Sequence, residues 1–409
     1  MRDRLHRFLF ALSGFLAVSA LAAACTSEEP RRAGFEPEAG ASTDPPVPAL
    51  DTDGGTSTAS VKLTGTVFAP NGYLPLSNAL VYVTDARPEP MPTGAYCDAC
   101  VNLPEGSFAL SAANGTFTIE TTLSRHDVYL VVQKGPFRRV RQLHVDEPST
   151  IALDAALTSL PGASDSAVGD EAPKMAILRD AEDSAYFDKI DIALHKMGIT
   201  QMDMLAGHSL FERRADLLAY QVVFAPCGPG DDPIAASPTA IANIHAFVEA
   251  GGKLYVTDWS YEFARQPFPG RLTWEGETTE LGSAIEGSWA GAATVVDKGL
   301  QAWLTATGEP SFEIFGNWTS LTAVHTTTGK DEHGNEVQVT PKVWVTADKD
   351  GTEVPATVSF EEGCGRVLFS TYHAESAYGG TGPLLTQEKA LLHVLLEVSV
   401  CAGKRPGVN

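Results

Sequence analysis

Two of the six cysteines stand as Cys97-Asp98-Ala99-Cys100, a spacing that serves either a dithiol redox pair or one half of a zinc site. A zinc site needs a second pair of ligands, and none stands at motif spacing elsewhere. A redox pair needs a helix N-terminus in a βαβ unit, where the dipole lowers the thiol pKa. This pair lies instead in a Pro-rich stretch among short strand-like runs. The expectation is a local Cys97–Cys100 disulfide. Asp231, Asp232 and Asp258 with His373 and Glu375 are metal-ligand types at no fixed spacing, and with 51 acids some must cluster by chance, so no metal and no cofactor is expected. Lys134, Arg138, Arg139 and Arg141, around Gly135-Pro136-Phe137, are the densest basic group in an acidic chain. They solvate one strand face or meet an anionic glycan or lipid headgroup.

The elements that must position these residues are drawn from 409 residues, 44% hydrophobic and 20% charged, enough for two or three domains with real cores. Lys plus Arg number 29 against 51 Asp plus Glu, a formal charge of -22 that repels phosphate backbones. Nucleic acid is therefore not expected as a partner.

At the start, Arg2, Arg4 and Arg7 precede an apolar run that closes as Leu21-Ala22-Ala23-Ala24-Cys25. This resembles a bacterial lipoprotein signal. The resemblance implies removal of residues 1–24, lipidation of Cys25 and attachment to the membrane through the lipid, and Thr26 in place of a retention Asp implies the outer membrane. Residues 25–60 are rich in Pro, Gly, Ser, Thr and acids, and read as a disordered tether. A second break of similar composition, residues 156–173, reads as a linker between two domains.

The first domain, residues 61–155, is written in short alternating runs with tight-turn signals at Asn71-Gly72 and Asn114-Gly115, which predicts a small β-sandwich. LTGTVFAPNGYLPLSNALVYV, NGTFTIET and VYLVVQKG resemble the carboxypeptidase regulatory-like domain, which implies a prealbumin-like sandwich; some related folds bind carbohydrate. The CxxC pair lies in an insertion, residues 87–106.

The second domain, residues 174–403 before a tail of 404–409, switches period. Lys174 to Leu178, Gln221 to Ala225, Lys253 to Thr257 and Arg366 to Phe369 read as strands. Between or after them lie helix patterns, one opened by Ser237-Pro238 and another capped by Thr386. Alternation of this kind predicts an α/β domain with a largely parallel sheet. An insertion at about 263–362, with its Asp331-Glu332-His333-Gly334-Asn335 turn, predicts an added β subdomain. The fold class expected for the whole chain is thus α+β multidomain.

YQVVFAPCGPGDD, AFVEAGGKLYVTDWSYE and GRVLFSTYHAES resemble the oxyanion loop, elbow strand and His-x-Glu strand of class I glutamine amidotransferase-like domains. In those enzymes a cysteine between small residues occupies the elbow, a strained strand-to-helix turn. Here the elbow stretch is Thr257-Asp258-Trp259-Ser260-Tyr261, with no cysteine and with Ser260 between two large aromatics. The resemblance therefore implies a degenerate domain, with Asp258 and Trp259 as binding candidates. An alternative stays open, a hydrolase or amidase in which Cys227 of the oxyanion loop is a displaced nucleophile served by His373 and Glu375. Against it, Cys227, Cys364 and Cys401 remain after Cys25 and the CxxC pair, and Cys364 is a disulfide candidate for either of the other two. The whole order of segments also resembles envelope lipoproteins of myxobacteria, a resemblance that brings no activity. The expected role is binding or scaffolding at the cell envelope, toward a glycan or an envelope protein.

Overall fold

A computed structural model describes residues 59–98, 103–104, 106–123, 125–145, 149–179, 188–374 and 382–396. Cys25, Cys100, Glu375 and Cys401 lie outside the described residues, as do the signal and tether segments up to residue 58. Sheets dominate. The N-terminal part holds a three-stranded sheet, with Ala59–Thr66 between Thr116–Leu123 and Ser149–Ala152. It also holds a five-stranded sheet in the order Phe108–Leu110, Leu80–Thr84, Asp127–Lys134, Phe137–His144, Asp170–Glu171.

Period-two patterning drives this arrangement. Phe117, Ile119 and Leu123 alternate with exposed Thr116, Thr118 and Glu120, so one face of their strand packs inward. They join Val61 and Leu63 of the same sheet and Val81, Val83, Val128, Leu130 and Val132 of the other in one core. The turn at Asn114-Gly115 needs the left-handed backbone that Gly115 supplies (φ 80°).

Residues 156–173 are tied to this part of the molecule. Asp170–Glu171 pairs antiparallel with the strand carrying Arg138 and Arg139, and Gly169 O accepts from Val140 N at 2.8 Å. Residues from Gly55 onward form one compact unit. Trp303 Nε1 donates to Pro75 O at 2.7 Å, and Trp303, Leu391 and Val394 belong to the same buried cluster as the sandwich core.

The remaining sheet has nine strands. Five run parallel in the spatial order Asp203–Ala206, Met175–Arg179, Val222–Ala225, Lys253–Thr257, Gly365–Ser370, so that in chain order the strands read 2-1-3-4-5. This is a doubly wound arrangement with its switch point between the first and third strands. Runs such as Val222-Val223-Phe224-Ala225 are buried throughout, as strands covered on both faces must be.

Residues 263–362, expected as an added β subdomain, do not stand apart. Thr352–Glu362, Lys342–Lys349, Trp289–Val295 and Glu313–Asn317 continue the same sheet antiparallel beyond Gly365–Ser370. The sheet is therefore mixed. Two small two-stranded sheets decorate it, one of them joined by the Asp331–Asn335 turn.

The expected Cys97–Cys100 disulfide is corrected. Cys97 is bonded to Cys364, 267 residues away, with Cα atoms 5.0 Å apart. Both partners are held against the end of the helix Pro238–Glu249. Cys364 N donates to Glu249 O at 3.1 Å, and Tyr96 O lies where a Cβ on Gly251 would stand, 1.8 Å away. Only glycine permits so close an approach. Lys253 Nζ, 3.5 Å from Asp98 Oδ2, adds an ion pair beside the bridge. Cys364 is thereby removed from any pairing with Cys227 or Cys401.

Candidate functional site

Strands three, four and five of the parallel set lie side by side, and each delivers one chemistry-bearing residue just past its last paired position. Cys227 follows Val222–Ala225, Asp258 follows Lys253–Thr257 and His373 follows Gly365–Ser370. Ligand-type atoms of the three lie within 4.8 Å of one another. All three residues are enclosed, at 1%, 0% and 3% exposure.

Asp258 occupies the strand-to-helix turn with φ 47°, in the left-handed region that Asp tolerates better than most residues. A 3₁₀ turn, Asp258–Tyr261, and the short helix Glu262–Arg265 follow. The strained position therefore belongs to Asp258. Ser260 is turned away, donating through Oγ to Pro226 O at 2.6 Å.

The Asp258 carboxylate is satisfied from the inserted segment. Oδ1 accepts from Thr319 N at 2.8 Å and Thr319 Oγ1 at 2.9 Å, and Trp318 N donates to both oxygens at 3.0 Å. Cys227 Sγ lies 3.7 Å from Oδ2. Burial pushes the Asp258 carboxyl up to about 8, against the pull of the Thr319 and Trp318 donors. Burial, and after it the charge of Asp258, raises the Cys227 thiol well above its ordinary value. Sulfur so placed keeps its proton at neutral pH, and it is the thiolate that attacks.

A second chain of bonds ties the three loops together. Cys227 N donates to Thr257 Oγ1 at 2.8 Å, and that hydroxyl donates to Asp188 Oδ2 at 2.6 Å. Asp188 Oδ1 accepts from Ala374 N at 3.2 Å. Asp188, nine residues past the first parallel strand, is thus bonded to the ends of the fourth and fifth. Burial raises its carboxyl to about 7, opposed by the Thr257 hydrogen bond. Gln387 Nε2 donates to His373 O at 2.9 Å and anchors the His373 loop to the helix Thr386–Leu396.

The indole of Trp259 stacks on that of Trp318, with centroids 5.7 Å apart and planes at 14°. Gly230 lies close beneath, where a Cβ would meet Trp259 at 3.2 Å. The residue after the elbow is thus committed to packing against the inserted segment. Of the other acids, Asp232 Oδ2 is 2.6 Å from His208 Nδ1, and Asp231 packs against Gly282. Neither belongs to the Cys227–Asp258–His373 group.

The basic group lies elsewhere and is occupied. Arg139 makes two bonds to Asp170, at 2.9 and 3.0 Å, and Arg141 reaches the same carboxylate at 2.7 Å. Arg138 Nε donates to Glu171 Oε2 at 2.5 Å. Lys134 is buried and donates to Ser77 O at 2.8 Å.

The structure therefore brings together Cys227, Asp258 and His373 from the residues singled out in the sequence, and keeps Lys134, Arg138, Arg139 and Arg141 apart from them. Asp188, Trp318 and Thr319 were not singled out. Asp188 is the fourth acid after the first strand, behind Asp180, Glu182 and Asp183, so no local signal singled it out, and Trp318 and Thr319 reach Asp258 only through the inserted segment, for which no motif exists.

No family model and no curated protein matches the chain. Solved structures similar to parts of it include a catalytic mutant of a GH42 β-galactosidase from G. stearothermophilus, at 15% identity over 57% of this chain and 31% of that one, with a TM-score of 0.30. A β-galactosidase from Bacillus circulans sp. alkalophilus shares 13% over 53% and 30%, with a TM-score of 0.29. An exo-β-1,4-mannosidase from Opitutaceae bacterium strain TAV5 shares 12% over 56% and 36%, with a TM-score of 0.30. The chain thus spans about a third of the length of each of these proteins, and a likeness at this level assigns this chain no chemistry.

Proposed function

We propose that this chain is a lipid-anchored outer-membrane protein with a binding or scaffolding role at the cell envelope, and that its α/β part is a glutamine amidotransferase-like domain without catalysis. Its N-terminal part is, in this reading, a prealbumin-like sandwich of the carboxypeptidase regulatory type. The observation that carries the reading is the elbow. A fully buried Asp258, bonded to Trp318 and Thr319, stands where an exposed thiolate would be needed. The one free cysteine among the described residues, Cys227, is itself buried, and that burial raises its thiol well above its ordinary value. Amide attack requires both an activated nucleophile and donors aimed at the developing oxyanion.

The competing reading, a hydrolase or amidase using Cys227 with His373 and Glu375, is favoured by one observation: Cys227 and His373 share a cluster less than 5 Å across. Turnover separates the two. The purified full chain is expected to show no glutaminase or esterase activity above buffer, and His373-dependent turnover would reverse the reading. The anchor is tested separately by metabolic labelling with a fatty acid: label on the natural chain and none on Cys25→Ser is the expected result. A Cys25→Ser chain that stays membrane-bound at the mature size would count against it.

A further inference from the structure

The cluster formed by Cys227, Asp258 and His373 has the composition and dimensions of a metal site, and we propose that it binds one zinc ion. Thiolate, carboxylate and imidazole are all zinc ligands, and a thiolate selects against magnesium and calcium. With Zn–S near ~2.3 Å and Zn–O near ~2.0 Å, a tetrahedral ion sets sulfur and oxygen about 3.5 Å apart. Cys227 Sγ and Asp258 Oδ2 are 3.7 Å apart, and the donor atoms of all three residues lie within 4.8 Å of one another. Little movement is needed to close them on an ion.

Charge supports the same assignment. Binding would displace the protons of Cys227 and Asp258, leaving a thiolate and a carboxylate whose two negative charges match a divalent cation. Among the described residues no Lys or Arg is bonded to Cys227 or Asp258 in its place. A second group, His245, Glu249 and Glu362, is equally compact but already neutralised. Glu362 pairs with Arg271, and Glu249 with Lys330 at 2.7 Å.

Support around the ligands is also in place. Orienting donors behind a ligating carboxylate are a regular feature of metal sites, and here Trp318 N, Thr319 N and Thr319 Oγ1 fix the Asp258 carboxylate. Thr257 Oγ1 fixes the Cys227 backbone. Each ligand follows a different one of three adjacent parallel strands, so the ion would clamp three strand ends and keep a fourth coordination position open. All three ligands are buried. The inference stands on the geometry of the cluster, so turnover by the chain would overturn the functional reading above and leave this one to be decided by metal binding alone.

Cobalt(II), which takes zinc sites and reports thiolate ligation by near-ultraviolet charge-transfer absorption, is the probe. The chelator-stripped full chain is expected to bind one equivalent with that absorption, and zinc should displace it. Cys227→Ser should abolish the band, whereas Cys100→Ser and Cys401→Ser should keep it. Asp258→Asn retains the tolerance of Asx residues for the left-handed backbone. It should weaken binding by more than the ~10–100-fold that loss of an outer partner costs. As a check that needs no variant, one equivalent of zinc should raise the melting temperature of the natural chain. No cobalt band on the natural chain, a band that survives Cys227→Ser, or unchanged affinity in Asp258→Asn would each overturn the proposal.

Discussion

The strand-end cluster and the arginine-bearing strand of the sandwich both place ionisable groups out of water, and they resolve the cost in opposite ways. Arg138, Arg139 and Arg141 are each paired with Asp170 or Glu171, with all side chains at or below 22% exposure. Among the described residues Asp188, Asp258 and Cys227 are bonded to no Lys or Arg, and burial drives each toward its protonated form. Residues that look like a binding surface in the sequence are thus structural, and residues that look like a catalytic set are sealed. A charged side chain marks a site only if its counter-charge is missing and water or ligand can reach it.

The largest effect is expected at the disulfide, outside both regions. Cys364→Ser removes a bridge between the sandwich insertion and the sheet, and loss of such a native disulfide costs about 2–5 kcal/mol. Chemical denaturation of natural and variant chains measures it, and reduction of the natural chain should reproduce the loss. A variant of unchanged stability would show that the contacts around Gly251 and Lys253 hold the loop unaided.

Next comes the buried acid Asp188. The folded-state pKa of Asp188, about 7, exceeds its ordinary 3.8, so between these values the native state holds a proton that the unfolded chain has lost. Stability should therefore fall as pH rises from about 4 toward 7, by on the order of a few kcal/mol from Asp188, with Asp258 adding a fall of the same sign that continues to about 8. Asp188→Asn should reduce that slope without abolishing it, as read from denaturation midpoints across the range. An unchanged slope would mean that Asp188 stays ionised in the fold.

Asp170→Asn tests the other strategy. Arg139 and Arg141 would lose a shared charged acceptor, at about 1.5–3 kcal/mol for a charge-assisted bond. The smallest effect is expected at Lys62, whose pair with Glu120 has side chains 46% and 67% exposed. Lys62→Ala should shift the denaturation midpoint least of the four variants, and less still in high salt.

Much of this arrangement was legible in the sequence because local pattern carried it. Fully apolar runs such as Val222 to Ala225, and the Ser237-Pro238 helix start, announced the parallel strands and their helices. Doubly wound sheets gather functional groups at strand ends, so the sequence set Cys227 beside His373 and, separately, Asp258 beside His373, without joining the three. The disulfide could not be read, because a pairing across 267 residues leaves no local trace and the CxxC spacing points to itself. Nor could the role of Asp170 and Glu171, which lie in a stretch whose Gly, Ser and Pro content reads as a linker and whose pairing with Arg138 and Arg139 is set by tertiary contact. The inserted segment hid the donors to Asp258 in the same way, since Trp318 and Thr319 matter only through where their backbone is delivered.

The central claim is that the strand-end cluster is closed to substrate chemistry, and labelling of Cys227 tests it most directly. The native full chain, reduced and treated with chelator, would be incubated with an electrophilic glutamine analogue and mapped by peptide mass, with a denatured sample as the positive control. The account predicts no adduct on Cys227 in the native chain and complete modification after denaturation. Stoichiometric native labelling of Cys227 that disappears in His373→Ala would contradict it.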